Sequence, residues 1–121
     1  MSAYVIWLDG EHAKIFKMLP GKVETQALNR KEIRHHTSSE TANHKNHDKF
    51  FHELAGRVND ASEILLIGPG LAKTQFKHHL EQHHHAALAA KVVGIETVDH
   101  PTEGEVLARA RKFFKAHDLF V

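Results

Sequence analysis

The sequence predicts an α/β domain with a mixed five-stranded sheet and helices on both faces. Three observations carry this. Three β-type runs separated by tight turn signals come first, two further apolar runs then alternate with segments of helical period, and the last segment opens on a helix-start signature. Strands joined by tight turns pair antiparallel, whereas strands separated by helices return parallel, so the sheet must be mixed.

Residues 3–9 are apolar at successive positions, the mark of a strand covered on both sides. Asp9-Gly10 is a turn signal, and residues 13–19 form a second strand. Pro20-Gly21 fits the centre of a type II turn, because proline presets the first φ and glycine supplies the positive second one. Residues 22–28 alternate, with Val23, Thr25 and Ala27 opposite Glu24 and Gln26, and read as a third, more exposed strand.

Residues 29–46 have no apolar period. Structureless stretches of that length are uncommon in compact domains, so 31–46 is expected to be a mobile loop. Phe50, Phe51, Leu54, Ala55 and Val58 then recur at helical spacing, which predicts a helix over 47–59. The apolar run 63–67 before Gly68-Pro69-Gly70 reads as a buried strand. A helix follows from Leu71 to about His84, with Ala72, Phe76 and Leu80 inward, and His83 a further candidate for that side. Residues 91–98 form the last strand. Thr102 with Glu105 fits a capping box, and Pro101 can staple onto Val106. Val106, Leu107, Ala110, Phe113 and Phe114 make the buried stripe of the last helix, and the Phe50/Phe51 and Phe113/Phe114 pairs are core residues by their spacing. No repeat and no boundary interrupts residues 1–121, which read as one domain.

The charge balance, 16 basic against 15 acidic residues, makes no demand for nucleic acid. With no cysteine, disulfides, thiolate zinc sites and cysteine nucleophiles are excluded together, which fits a reducing cytoplasm. No apolar run approaches a membrane span, and the N-terminus reads as a strand rather than a signal peptide. The unusual count is 13 histidines. Near pH 6.5 about half of a set of ordinary histidines is protonated, so mild acid makes the chain more cationic.

Three local matches carry a family resemblance. They are Ala13-Lys14-Ile15-Phe16 in the second strand; residues 49–54, leading through one helix into Ile64-Leu65-Leu66-Ile67-Gly68-Pro69-Gly70 with Lys73 and Phe76; and Asp99-His100-Pro101 after the last strand. With this element order, the chain resembles the central domain of the eukaryotic and archaeal peptide-release factor and Pelota family, and its short bacterial relatives. The resemblance implies a ribonuclease H-like three-layer fold with strand order 3-2-1-4-5. It also implies a translation-related role with RNA or the ribosome as partner. Release factors carry Gly-Gly-Gln in the loop after strand three, but residues 31–46 here contain neither glycine nor glutamine, so peptidyl-tRNA hydrolysis does not transfer.

In that architecture strands one, four and five end along one edge, where ligands of open α/β sheets bind. Asp9, Gly68, Gly70, Lys73, Asp99 and His100 fall there, with His12 nearby. Gly68 and Gly70 would let backbone amides approach a phosphate, with Lys73 and His100 adding donors. The plainer alternative is a tight strand-to-helix turn. Arg34 and Lys45, in a mildly basic loop without aromatics, are further phosphate candidates, against the alternative of a solvated loop. No P-loop pattern and no cofactor motif is present. A carboxylate-metal nuclease would need acids at the ends of strands one and four; Asp9 stands at the first and Gly68 at the second.

Histidines cluster at 35–36, 44 with 47, 78–79 and 83–85. His79 and His83, four apart on one helix, can reach one divalent metal ion, though they supply only two ligands. Three functions therefore stand open. They are a non-catalytic RNA- or ribosome-binding module, a histidine-based metal- or pH-responsive binding protein, and a small enzyme using Asp9, His12, Lys73, Asp99 and His100.

Overall fold

The computed structural model describes residues 2–31, 42–83 and 85–119, the side chains of 42–48 and 117–119 excepted. Three strands open the chain, β1 (Ser2–Leu8), β2 (His12–Leu19) and β3 (Lys22–Asn29). There follow α1 (Ala42–Arg57), β4 (Ala61–Gly68), α2 (Ala72–Gln82), a short α3 (Ala86–Ala89), β5 (Val92–Thr97) and α4 (Glu103–Leu119). One five-stranded sheet has the order β3-β2-β1-β4-β5. β2 is antiparallel to both its neighbours, while β4 runs parallel to β1 and to β5.

β1 is central because every residue from Tyr4 to Leu8 is buried. Strand alternation divides these residues between two cores. Tyr4, Ile6 and Leu8 face Phe50, Leu54, Phe76, Leu80 and Leu88 of α1, α2 and α3. Val5 and Trp7, with Phe16, Leu65 and Ile67, face Val106, Ala110 and Phe114 of α4. Each large side chain so buried contributes about 1.5–3 kcal/mol. Both faces of the sheet are therefore covered, as the apolar runs at β1 and β4 predict. Phe113 is half-buried and packs on the same core from its margin.

The turns form for local reasons. Gly21 has φ +75°, the value a type II turn requires after Pro20. At the β1–β2 turn the Asp9 carboxylate accepts the backbone amides of Glu11 and His12 at 2.8 and 2.7 Å. Thr102 and Glu105 close the expected capping box: the Thr102 amide donates to Glu105 Oε1 at 2.9 Å and the Glu105 amide to Thr102 Oγ1 at 3.2 Å. The Thr102 backbone amide, and then its side-chain hydroxyl, favour the carboxylate and hold the Glu105 pKa below its ordinary value.

Several expected boundaries move. The first helix begins at Ala42 rather than 47, taking in the end of the stretch expected to be a loop. Residues 42–46 hold only one apolar residue, Ala42, so no period marks them. The remainder of the expected mobile loop, 32–41, lies outside the described residues. The second helix ends at Gln82, short of His84, and His83 is exposed rather than turned to the core. The short α3 was not anticipated, since four residues are too few to display a period; it buries Leu88 and Ala89. No described helix is long and apolar enough to cross a membrane.

Candidate functional site

The C-terminal ends of β1, β4 and β5 do gather on one edge, since Trp7 pairs with Ile67 and Gly68 with Thr97. Gly68 is there for a steric reason. A Cβ on it would lie 2.1 Å from the Leu8 carbonyl oxygen, so only glycine lets β4 and β1 end side by side. The Gly68 carbonyl accepts the Val98 amide at 3.0 Å. Gly70 has no such demand, because nothing stands within 4 Å of its added Cβ. Lys73 is buried, and its ammonium donates to the Gly70 carbonyl at 2.5 Å. One of its N–H donors thus helps to close the strand-to-helix turn.

A different group of residues forms a concave site at this edge. A cavity of about 230 Å³ lies between the start of α4 and the ends of β1, β2 and β3. Trp7, Phe16 and Val106 line it as buried apolar side chains. His12, Asn29 and His100 line it from more exposed positions. Strand parity places His12 and Phe16 on one face of β2, and the pairing of His12 with Asn29 brings the β3 residue alongside. The Trp7 Nε1–H donates to the Asp99 carbonyl at 2.9 Å, which ties the loop after β5 to the end of β1. The His100 ring then sits 5.3 Å from the indole, tilted by 49°.

Of the expected cleft residues, His12 and His100 are thus brought to one cavity. Lys73 does not line it. Asp9 and Asp99 act beside it: Asp9 as the turn acceptor, 3.4 Å from His12 Nδ1, and Asp99 through its backbone. Arg34 and Lys45 have side chains outside the described residues.

Pelota and an archaeal termination factor share this fold. Thermoplasma acidophilum Pelota superposes with a TM-score of 0.60 at 17% identity over 86% of this chain, and Archaeoglobus fulgidus Pelota with 0.61 at 17% over 89%. An archaeal translation termination factor matches 98% of the chain with a TM-score of 0.59 at 16% identity. The chain spans only 30%, 31% and 39% of those three proteins. No protein-family model and no curated protein matches it. At these identities the likeness speaks for the fold, which is that of one segment of Pelota.

On this Pelota-like fold the paired histidines lie away from the cavity, at the C-terminal end of α2. The His79 and His83 rings stack at 4.3 Å with 23° between their planes, and His79 is buried against Phe51 at 5.5 Å. Among the described residues, no three histidine, aspartate or glutamate side chains gather as a metal-binding group. The residue that sequence reasoning missed is Trp7. The signal was available, since it is the chain's single tryptophan and strand parity sets it on the face opposite Ile6 and Leu8.

Proposed function

We propose that this chain is a non-catalytic, translation-related module that binds RNA or the ribosome at the edge where β1, β4 and β5 end. The observation that supports it is the fold held in common with a segment of Pelota and of an archaeal translation termination factor. We read the three-layer arrangement as ribonuclease H-like, without that fold's metal-dependent chemistry. Gly68 stands where a second carboxylate would be needed, and Asp9 is committed to two backbone amides. His100, with 74% of its side chain exposed, is open to phosphate at this edge, as is the exposed Gly70. Lys73, whose ammonium keeps two further N–H donors beyond its bond to the Gly70 carbonyl, is a further proposed phosphate contact. Arg34 and Lys45 are the proposed additional phosphate contacts. A translation-related role would place the protein in the cytoplasm.

Two measurements on the full chain test this. Sedimentation with ribosomes should carry the protein into the pellet at low salt. Titration with single-stranded RNA should give weak binding that falls with salt, each neutralised phosphate adding about 0.7 to the slope of log affinity against log salt. The reading fails if the protein stays in the supernatant and shows no RNA binding at low salt.

A further inference from the structure

The cavity at Trp7 differs from an electrostatic phosphate site. Its buried lining, Trp7, Phe16 and Val106, is apolar, and its more open lining carries the polar groups of His12, Asn29 and His100 together with one cation, Lys14, and one anion, Glu103, which offset each other in charge. An apolar base with a few convergent polar groups is the make-up of a small-molecule pocket. At about 230 Å³ it falls below the roughly 300–1,000 Å³ of pockets for drug-sized ligands, so it suits a single flat ring system. Anything attached to that ring would stay outside, along the edge proposed above for phosphate.

The polar groups narrow the ring's chemistry. A carboxamide offers donor and acceptor side by side, and a neutral imidazole offers one of each, which is how protein side chains read the edge of a base. The indole is held in place by its bond to the Asp99 carbonyl, and His100 already meets it ring to ring. Aromatic residues and histidine are the usual stacking partners of splayed-out bases in single-stranded RNA. We propose that the Trp7 cavity docks one unpaired nucleobase of a single-stranded RNA. This rests on the RNA reading above and adds to it a recognition that is not electrostatic.

Trp7 is the only tryptophan, so its emission reports the cavity directly. A short single-stranded RNA should change that emission saturably. The same oligonucleotide made abasic should bind roughly 5- to 150-fold more weakly, the range expected for losing a stacked base, while keeping its salt slope. Asn29→Ala should lower affinity for the intact strand and leave the abasic strand unaffected. Ala27→Phe, which puts a ring into the lining from an exposed position on edge strand β3, should abolish the emission change while salt-dependent RNA binding persists. Equal affinity for intact and abasic strands with silent Trp7 emission would overturn the base site and leave the RNA reading standing. Absence of binding by either strand at low salt would overturn both. A Trp7 response to hydrophobic peptides but to no oligonucleotide would overturn the proposal in favour of a protein partner.

Discussion

The Tyr4 hydroxyl donates a 2.6 Å hydrogen bond to Asp60 Oδ1, across 56 positions of sequence. Lys17 Nζ donates to the other carboxylate oxygen at 2.9 Å. The three residues lock β1, β2 and the turn before β4 together at the end of the sheet opposite the cavity. Loss of the Tyr4 bond in Tyr4→Phe should cost about 1 kcal/mol in a urea titration, the usual net worth of one hydrogen bond.

The same contact sets two pH dependences. Tyr4 and Lys17 donate to the charged carboxylate and hold the Asp60 pKa below its ordinary value. Its contribution to stability is therefore complete above the unfolded value of about 3.9 and is lost as pH falls through the lowered folded value. Half the carboxylate is exposed, so solvent screening keeps this modest. Burial, followed by the bond to Asp60, raises the Tyr4 pKa. Its contribution is complete below about pH 10 and is lost as pH rises through the raised folded value. Asp60→Asn should flatten the acid limb of a stability–pH curve, and Tyr4→Phe the alkaline limb. An Asp60→Asn protein with the acid limb of the wild type would place that limb on other carboxylates.

Two glycines should differ sharply from a third. Gly68→Ala drives a methyl into the Leu8 carbonyl oxygen, which is backbone and cannot swing aside, so a loss of about 3 kcal/mol or more is expected. Gly70→Ala meets nothing and should lie within about 0.5 kcal/mol of wild type. Gly94→Ala would place its methyl 2.4 Å from Cζ of the Phe113 ring. That ring is a movable side chain, so Phe113→Leu should recover part of the loss in the double variant. Chemical denaturation of the four proteins decides this, and purely additive effects at 94 and 113 would mean the two positions do not couple.

The capping box predicts a smaller effect. Thr102→Ala removes the acceptor of the Glu105 amide and should cost about 1 kcal/mol, while Thr102→Ser should restore most of it. Thermal melts of both variants are sufficient.

The stacked histidines predict opportunistic metal binding. The untagged protein should be retained on nickel resin, and His79→Ala with His83→Ala should weaken that retention, since the His79 ring in the last turn of α2 lies beside that of His83 just after it. Circular dichroism should accompany the assay, because His79 is also packed on Phe51. Unchanged retention would assign the effect to other histidines.

The sequence by itself determined what depends on neighbours along the chain. Pro20-Gly21, Asp9-Gly10 and the Thr102/Glu105 box are local hydrogen-bonding and φ preferences, so each is where the residues say it should be. Apolar period distinguished strands covered on both faces from helices with one buried stripe, and it placed Phe50, Leu54, Phe76 and Val106 correctly in the core. Period failed where too few apolar residues expressed it, at the first turn of α1 and in α3. Only the tertiary structure decided the site. The cavity is assembled from β1, β2, β3 and the start of α4, and the bond that anchors Trp7 reaches a carbonyl 92 positions away. Which way Lys73 turned was equally undetermined, because one helix start offers its ammonium both a solvent-borne anion and the Gly70 carbonyl. Packing buries most of the side chain and sets its ammonium on that carbonyl, which replaces one of the hydrogen bonds water would otherwise make.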